Sequence, residues 1–313
     1  MAVQLPRGVY TGAIREITVG KPEQGVVIGG ESAYPFYLFE GAMPHRPRIA
    51  IEINDVAAEG WPEAVRKPYE DVVGDPVAWA RKAVAAYGAD MIQLTLTSTD
   101  PNGQDGPAAK AAATALAVSD AINVPLCVWG SGNVAKDADV LRVVCETCAG
   151  RKLLVGPVQK DNYKQVGAGI IASGHTAVAN SPIDINLAKQ LNVLLTNLGV
   201  PDDRIVIDPT VGGLGYGLEY TYSVMERCRM AALVQQDDQL RYPLYCNLGL
   251  EVWKVKEVRD EDERLGDPAT RGMLMEATTA SALLVAGAGI LVMRHPGAIE
   301  LVRKLMADLG LGQ

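Results

Sequence analysis

A chain of 313 residues in which 48% are hydrophobic has ample material for a buried core, which excludes a disordered protein. Aromatics are only 5% while Ala, Val, Ile, Leu and Gly abound, the profile of aliphatic parallel strands buried on both faces. A formal charge of −8 and a pI near 5.0 argue against nucleic acid or an anionic membrane as the main partner.

The first residues, MAVQLPRGVYTG, lack the continuous apolar segment of a secretory signal. The stretch GAIREITVG, the spacer KPEQ and GVVIGG together predict a β-hairpin, followed by a Gly- and Pro-rich run to Pro47. Residues 1–47 therefore read as a cap or plug, and residues 48–313 as one domain.

From residue 48 onward, aliphatic strand runs alternate with helical patterns. The runs cover 48–55, 90–98, 124–132, 152–158, 176–181, 204–210, 243–249 and 289–295. Between them lie apolar stripes at three- and four-residue spacing, such as Leu187, Leu191, Leu194, Leu195 and Leu198. Pro76, Pro107, Pro182, Pro268 and Pro296 stand where helices should begin, because a missing N–H costs nothing in the first turn. Gly88, Gly150 and Gly199 stand where helices should end. Eight strands, each followed by a helix, predict a single (β/α)₈ TIM barrel of the α/β class, with the N-terminal hairpin as an extension. An open doubly wound sheet is the competing arrangement. The longest apolar stretch, Ala280 to Met293, is interrupted by Ser281, Gly287 and Gly289 and is too short to span a bilayer, so a cytoplasmic protein is expected.

The five cysteines read as reduced thiols. Cys145 and Cys148 form a Cys-x-x-Cys pair inside an apolar helix, with no second pair nearby in sequence, and read as buried side chains rather than ligands.

Function in such barrels gathers at the carboxyl ends of the strands. There IDPTVGGLGYGLEY (207–220) places Asp208, Thr210, Gly212, Gly213, Gly215 and Tyr216. The glycines predict a loop whose backbone approaches a ligand, with Asp208 holding it and Tyr216 offering a flat face. In ANSPIDINLAKQLN (179–192), Ser181 reads as a helix cap followed by Pro182 at the first helical position, with Asp184 in the first turn. Asn180 is not needed for capping, and a neutral donor–acceptor there fits a ligand with carboxamides or a fused amide ring. Arg294 and His295 precede a helix start that accepts either a phosphate or polarised oxygen, or else a buried structural role. No lysine ends a strand in an aldolase-like position, only three histidines are present, and the G-x-S-x-G and P-loop motifs are absent. The rim reads as a binding surface without catalytic residues or a metal site.

The blocks AYPFYLFEG, SPIDINLAKQLN, IDPTVGGLGYGLEYTYSVMER and LVMRHPGA strongly resemble the small subunit of the corrinoid iron–sulfur protein, in a match that runs in order from about Gly29 to about Ala298. The related delta subunit of the archaeal acetyl-CoA decarbonylase/synthase complex shares them. The resemblance implies a barrel paired as a heterodimer with a larger subunit, which carries a 4Fe–4S cluster and a corrinoid-binding domain. It further implies a cobamide shared between the two subunits, with 5-methoxybenzimidazolylcobamide as one candidate. In that family the corrinoid takes a methyl group from methyltetrahydrofolate by way of a methyltransferase and passes it to acetyl-CoA synthase, in the reductive acetyl-CoA (Wood–Ljungdahl) pathway of carbon dioxide fixation. The chain lacks an Asp-x-His-x-x-Gly motif and a cysteine set for the cluster, as suits a subunit whose partner holds both. Its expected site residues, Asn180, Ser181, Asp208, Thr210, Gly212, Gly213, Gly215, Tyr216, Arg294 and His295, are positional and are not carried over from the family.

Two other readings compete. A pterin-dependent methyltransferase barrel is suggested by the Asp-Pro and Gly-rich turn, which is similar to that of dihydropteroate synthase-type barrels, with Asp100, Asn102 and Asn180 on a pterin edge. Against it, the turn follows the sixth strand and has Thr210 after Pro209. A phosphate-binding aldolase or isomerase lacks its lysine or carboxylate pair.

Overall fold

Each aliphatic run is buried almost end to end, as a parallel strand between a barrel interior and an outer ring of helices must be. In the computed structural model, which describes residues 6–311, these runs become β3 (Arg48–Asn54), β4 (Met91–Thr95), β5 (Leu126–Trp129) and β6 (Leu154–Val158). They continue as β7 (Thr176–Asn180), β8 (Ile205–Asp208), β9 (Leu244–Cys246) and β10 (Ala288–Met293). All eight pair in parallel and in chain order, and β10 closes on β3 through Met293 opposite Ile51. The structure is thus the closed barrel and not the open sheet. In the register, Glu52 stands opposite Gln93 and Asn54 opposite Thr95, so polar side chains meet at one level of the barrel.

The outer ring comprises α2 (Pro76–Ala85), α3 (Ala108–Ala121), α4 (Val134–Thr147), α5 (Tyr163–Ser173), α6 (Ile185–Leu198) and α7 (Leu218–Leu233). It is completed by α10 (Pro268–Val285) and α11 (Pro296–Asp308). Three short helices lie in loops: α1 (Glu63–Arg66) after β3, and α8 (Leu248–Val252) and α9 (Lys256–Arg259) after β9. Asp75, Asp267 and His295 cap the helices that Pro76, Pro268 and Pro296 begin. Pro107 lies one residue ahead of α3. The other expected start is corrected. Ser181 does not cap α6; Asp184 does, accepting from Asn186 N at 2.8 Å. The Ser181 N–H still donates to Asp208 O at 2.9 Å, which keeps the chain extended for one residue past β7, and proline at 182 disfavours a helical conformation before it.

The hairpin, β1 (Ile17–Val19) with β2 (Val26–Ile28), sits at the amino-terminal end of the barrel. Gly20 lies against Pro125 just before β5, and Gly29 against Pro243 just before β9. Ile17, Val19 and Ile28 are fully buried there, each contributing about 1.5–3 kcal/mol. One end of the barrel is therefore closed, and access is left to the other.

Cys145 and Cys148 are buried, Cys145 where α4 meets Gly169 of α5, and burial pushes their thiols up to about 12 and about 11. Among the described residues no group of three or more His, Cys, Asp or Glu side chains is placed to share a metal ion, and no helix is long and apolar enough to cross a membrane.

Candidate functional site at the barrel mouth

The carboxyl ends of β6, β7 and β8 are tied together by side chains. Gln159 Nε2 donates to Asn180 Oδ1 at 2.8 Å, and Asn180 Nδ2 donates to Asp208 Oδ2 at 3.0 Å. The Thr210 N–H closes the chain on Asp208 Oδ1 at 3.0 Å. Asp208 is 1% exposed, and burial pushes its carboxyl up to about 6 against the pull of its hydrogen bonds from Thr210 and Asn180. The Asn180 amide, expected to face a ligand, is thus engaged on both of its polar atoms within the protein. Ser181 is also buried, and its Oγ has no partner among the described residues.

The glycine-rich loop is folded on itself. A Cβ at Gly212 would lie 2.0 Å from the Tyr216 carbonyl oxygen, so only glycine permits the crossing of the two strands of the loop. Gly213 O accepts from Tyr216 N at 3.0 Å and from Leu218 N at 3.1 Å, while Gly213 itself packs on Val252. Gly215 has φ +79°, the left-handed region that suits glycine. These glycines are required by the turn, and the feature they leave open to solvent is its tip, where Tyr216 is 76% exposed. Gly212, Tyr216, Glu251 and Lys254 edge a cleft of about 420 Å³ between this loop and α8–α9.

Arg294 and His295 sit at the end of β10, where protein groups already fill the anion position. The Glu276 carboxylate accepts from Arg294 N at 2.6 Å and His295 N at 2.9 Å, and His295 Nδ1 accepts from Gly297 N at 3.0 Å. Burial raises the Glu276 carboxyl to about 7 and lowers the His295 imidazole. Both backbone N–H groups of this pair are thus taken up by a protein carboxylate. The Arg294 guanidinium turns inward to Glu52, with Nε 2.7 Å from Oε2 and Nη2 2.9 Å from Oε1, and lies 4.2 Å from the centre of the Trp61 ring.

A second half of the mouth holds, apart from Arg294, residues that were not expected there. Thr95 Oγ1 donates to Glu52 Oε1 at 2.9 Å, and Gln93 Nε2 lies 3.4 Å from both Thr95 Oγ1 and Asn247 Oδ1. Tyr245 donates to Gln93 Oε1, and its ring stacks on Trp129 at 6.1 Å. Above this network opens a cavity of about 410 Å³ edged by Asn54, Trp61, Thr95, Ser131, Lys254 and Arg294. Asn54 is 4% exposed and its Oδ1 has no partner among the described residues. The signal was present in the chain: Glu52 and Asn54 alternate with isoleucines in β3, and Gln93 and Thr95 interrupt β4 likewise. Polar residues at every second position of a strand buried on both faces mark an interior level that must be hydrogen-bonded.

Dihydropteroate synthase of Xanthomonas albilineans, solved in complex with indole-2-carboxylic acid and 6-chloroguanine, superposes with a TM-score of 0.58 at 15% identity, over 94% of this chain and 98% of that one. The 7,8-dihydropteroate synthase of Vibrio fischeri gives 0.58 at 14% identity, over 89% and 99%. At such identity the likeness is one of fold. Subunit delta of the acetyl-CoA decarbonylase/synthase complex of Methanopyrus kandleri is 35% identical over 295 residues, covering 94% of this chain and 73% of that protein. The delta subunit of Archaeoglobus fulgidus is 35% identical over 315 residues, covering 96% and 69%. A family described as CO dehydrogenase/acetyl-CoA synthase delta subunit matches residues 16–308, so nearly all of the barrel and its hairpin fall within it. The chain belongs to the CO dehydrogenase/acetyl-CoA synthase delta subunit family.

Proposed function

We propose that the chain is the small subunit of a heterodimeric corrinoid iron–sulfur methyl carrier, and that its barrel mouth covers one face of a cobamide held by the larger subunit. The observation that carries the proposal is the set of buried, unpaired polar atoms at the strand ends. Asn54 Oδ1, Ser181 Oγ, Thr210 Oγ1 and Asn247 Nδ2 have no partner within the described residues, and such atoms cost about 1–3 kcal/mol each unless something outside supplies one. All four are neutral amide or hydroxyl atoms. A corrin ring is broad, flat and rimmed by carboxamides, which is the complementary chemistry.

A bound corrinoid supplies a cobalt centre that accepts and releases a methyl group. This chain's own residues position and shelter. The Gln159–Asn180–Asp208 chain holds three strand ends in fixed register, and the self-closed loop at Gly212, Gly213 and Gly215 presents Tyr216 as a flat apolar face. Thr210 anchors that loop on Asp208, the Ser181 N–H ties the end of β7 to the Asp208 carbonyl, and Arg294 and His295 stiffen the opposite side through Glu52 and Glu276. In this reading the larger subunit holds the iron–sulfur cluster and the nucleotide tail, and the cytoplasmic complex meets a methyltetrahydrofolate methyltransferase and acetyl-CoA synthase transiently.

Purification of the complex from native cells tests the proposal. The expected product is a heterodimer containing cobalt and iron, with both metals retained by the larger chain after separation and a corrinoid absorption spectrum before it. Recovery of this chain alone, cobalt-free and able to methylate free cobalamin from methyltetrahydrofolate, would establish the pterin-dependent enzyme instead.

A further inference from the structure

The two halves of the mouth differ in what they leave unsatisfied. On the β6–β8 side the Asn180 amide has both polar atoms engaged, and the atoms left unpaired among the described residues are hydroxyls, Ser181 Oγ and Thr210 Oγ1. On the β3–β4 side Asn54 is almost wholly buried, edges the cavity of about 410 Å³, and keeps an acceptor to which none of the described residues donates. The charges lining that cavity come in both signs, Glu52, Glu59 and Asp100 against Lys254, Arg259 and Arg294. Arg294 is committed to Glu52 through two hydrogen bonds, and Lys254 to Glu251 at 3.2 Å. An unpaired carbonyl oxygen among three acidic and three basic side chains is suited to a neutral N–H donor rather than to a carboxylate or phosphate.

We infer that Asn54 anchors the corrinoid by accepting a hydrogen bond from one primary carboxamide of the corrin rim, whose side chain enters this cavity. The inference rests on the corrinoid reading above and adds to it the residue and the chemical group. A cavity of this size takes a limb of the cofactor and not its ring, so the ring lies across the mouth with one edge over β3 and β4. The indole of Trp61 and the guanidinium stacked on it form one wall, giving the aliphatic part of that limb an apolar surface and its amide a single polar end point. Asn54 is a positioning residue; it does not touch the cobalt.

The test uses the corrinoid-stripped complex of this chain with its larger subunit, reloaded with cobalamin or with each of the b-, d- and e-monocarboxylic acids, in which one carboxamide has become a carboxylate. Asn54→Leu, of nearly the same shape, should weaken cobalamin about tenfold, the loss of one well-placed hydrogen bond. Its thermal unfolding without corrinoid should be unchanged or raised, because the variant also deletes a buried unpaired oxygen. One of the three monocarboxylates should bind the wild-type complex about tenfold more weakly than cobalamin, and this penalty should shrink in Asn54→Leu. Asn54→Ser serves as the second variant if the leucine form does not fold, with the same loss expected. Equal binding of cobalamin by wild type and variant, in a complex whose corrinoid retention still depends on this subunit, would overturn the role of Asn54 alone. Retention that is the same with and without this subunit would overturn the corrinoid reading itself, and this inference with it.

Discussion

The ion pair between Glu52 and Arg294 offers a sharp test of how the mouth is held. Glu52 is fully buried, and its carboxylate depends on the two guanidinium hydrogen bonds at 2.7 and 2.9 Å, with Thr95 as its remaining donor at 2.9 Å. Arg294→Met fills similar volume but leaves that carboxylate without its cation. The expected cost is about 3–5 kcal/mol, the usual penalty for an unpaired buried charge, with about 0.5–2 kcal/mol of it from lost stacking on Trp61. At roughly 2–4 °C per kcal/mol for a large domain, the midpoint of thermal unfolding falls by on the order of 10 °C. The double variant Glu52→Gln with Arg294→Met removes both charges and should recover most of the loss, because a neutral amide can still accept from Thr95. Denaturant unfolding at pH 7 of wild type, both single variants and the double gives the cycle. A single-variant cost below about 1 kcal/mol, or a double variant no better than Arg294→Met, would refute the reasoning.

Two further outcomes follow from the same geometry. Asp208 has its carboxyl raised from the usual 3.8 to about 6, so its neutral form is favoured in the folded protein and its contribution is lost as pH rises through about 6. Asp208→Asn does not titrate there, so its stability relative to wild type should improve between pH 4 and 7 by up to about 3 kcal/mol; a flat difference in denaturant midpoints across that range would contradict this. Ile28→Ala, in the hairpin at the amino-terminal end, should cost about 2–5 kcal/mol by calorimetry while leaving corrinoid retention by the complex unchanged, and a selective loss of retention would show that the hairpin end belongs to the site.

The barrel was readable because its strands are continuous aliphatic runs and its helix starts are marked by Pro76, Pro268 and Pro296 with a polar residue just ahead. Those signals are local. The site was less readable because its decisive pairings are between residues far apart in the chain. Nothing near Asn180 shows that Gln159 and Asp208 will take up its amide, since that depends on the register of β6, β7 and β8. Ser181 looks like a helix cap beside Pro182, yet its backbone is still paired with Asp208, and α6 waits for Asp184. The glycines of the β8 loop announce a special backbone, but they cannot announce that the contact they permit is with Tyr216 of the same loop. Glu52, Asn54, Gln93 and Thr95 were visible as alternating polar residues in buried strands, and their meaning emerges once β3 and β4 are set side by side.

The most direct measurement of the central claim is a structure of the complete complex with corrinoid bound. The ring should lie across the carboxyl-terminal mouth of this barrel, between Asn54 and Tyr216, with one carboxamide inside the cavity above Glu52 and Arg294. A corrinoid enclosed wholly by the larger subunit, or seated against the hairpin at the opposite end, would contradict the account.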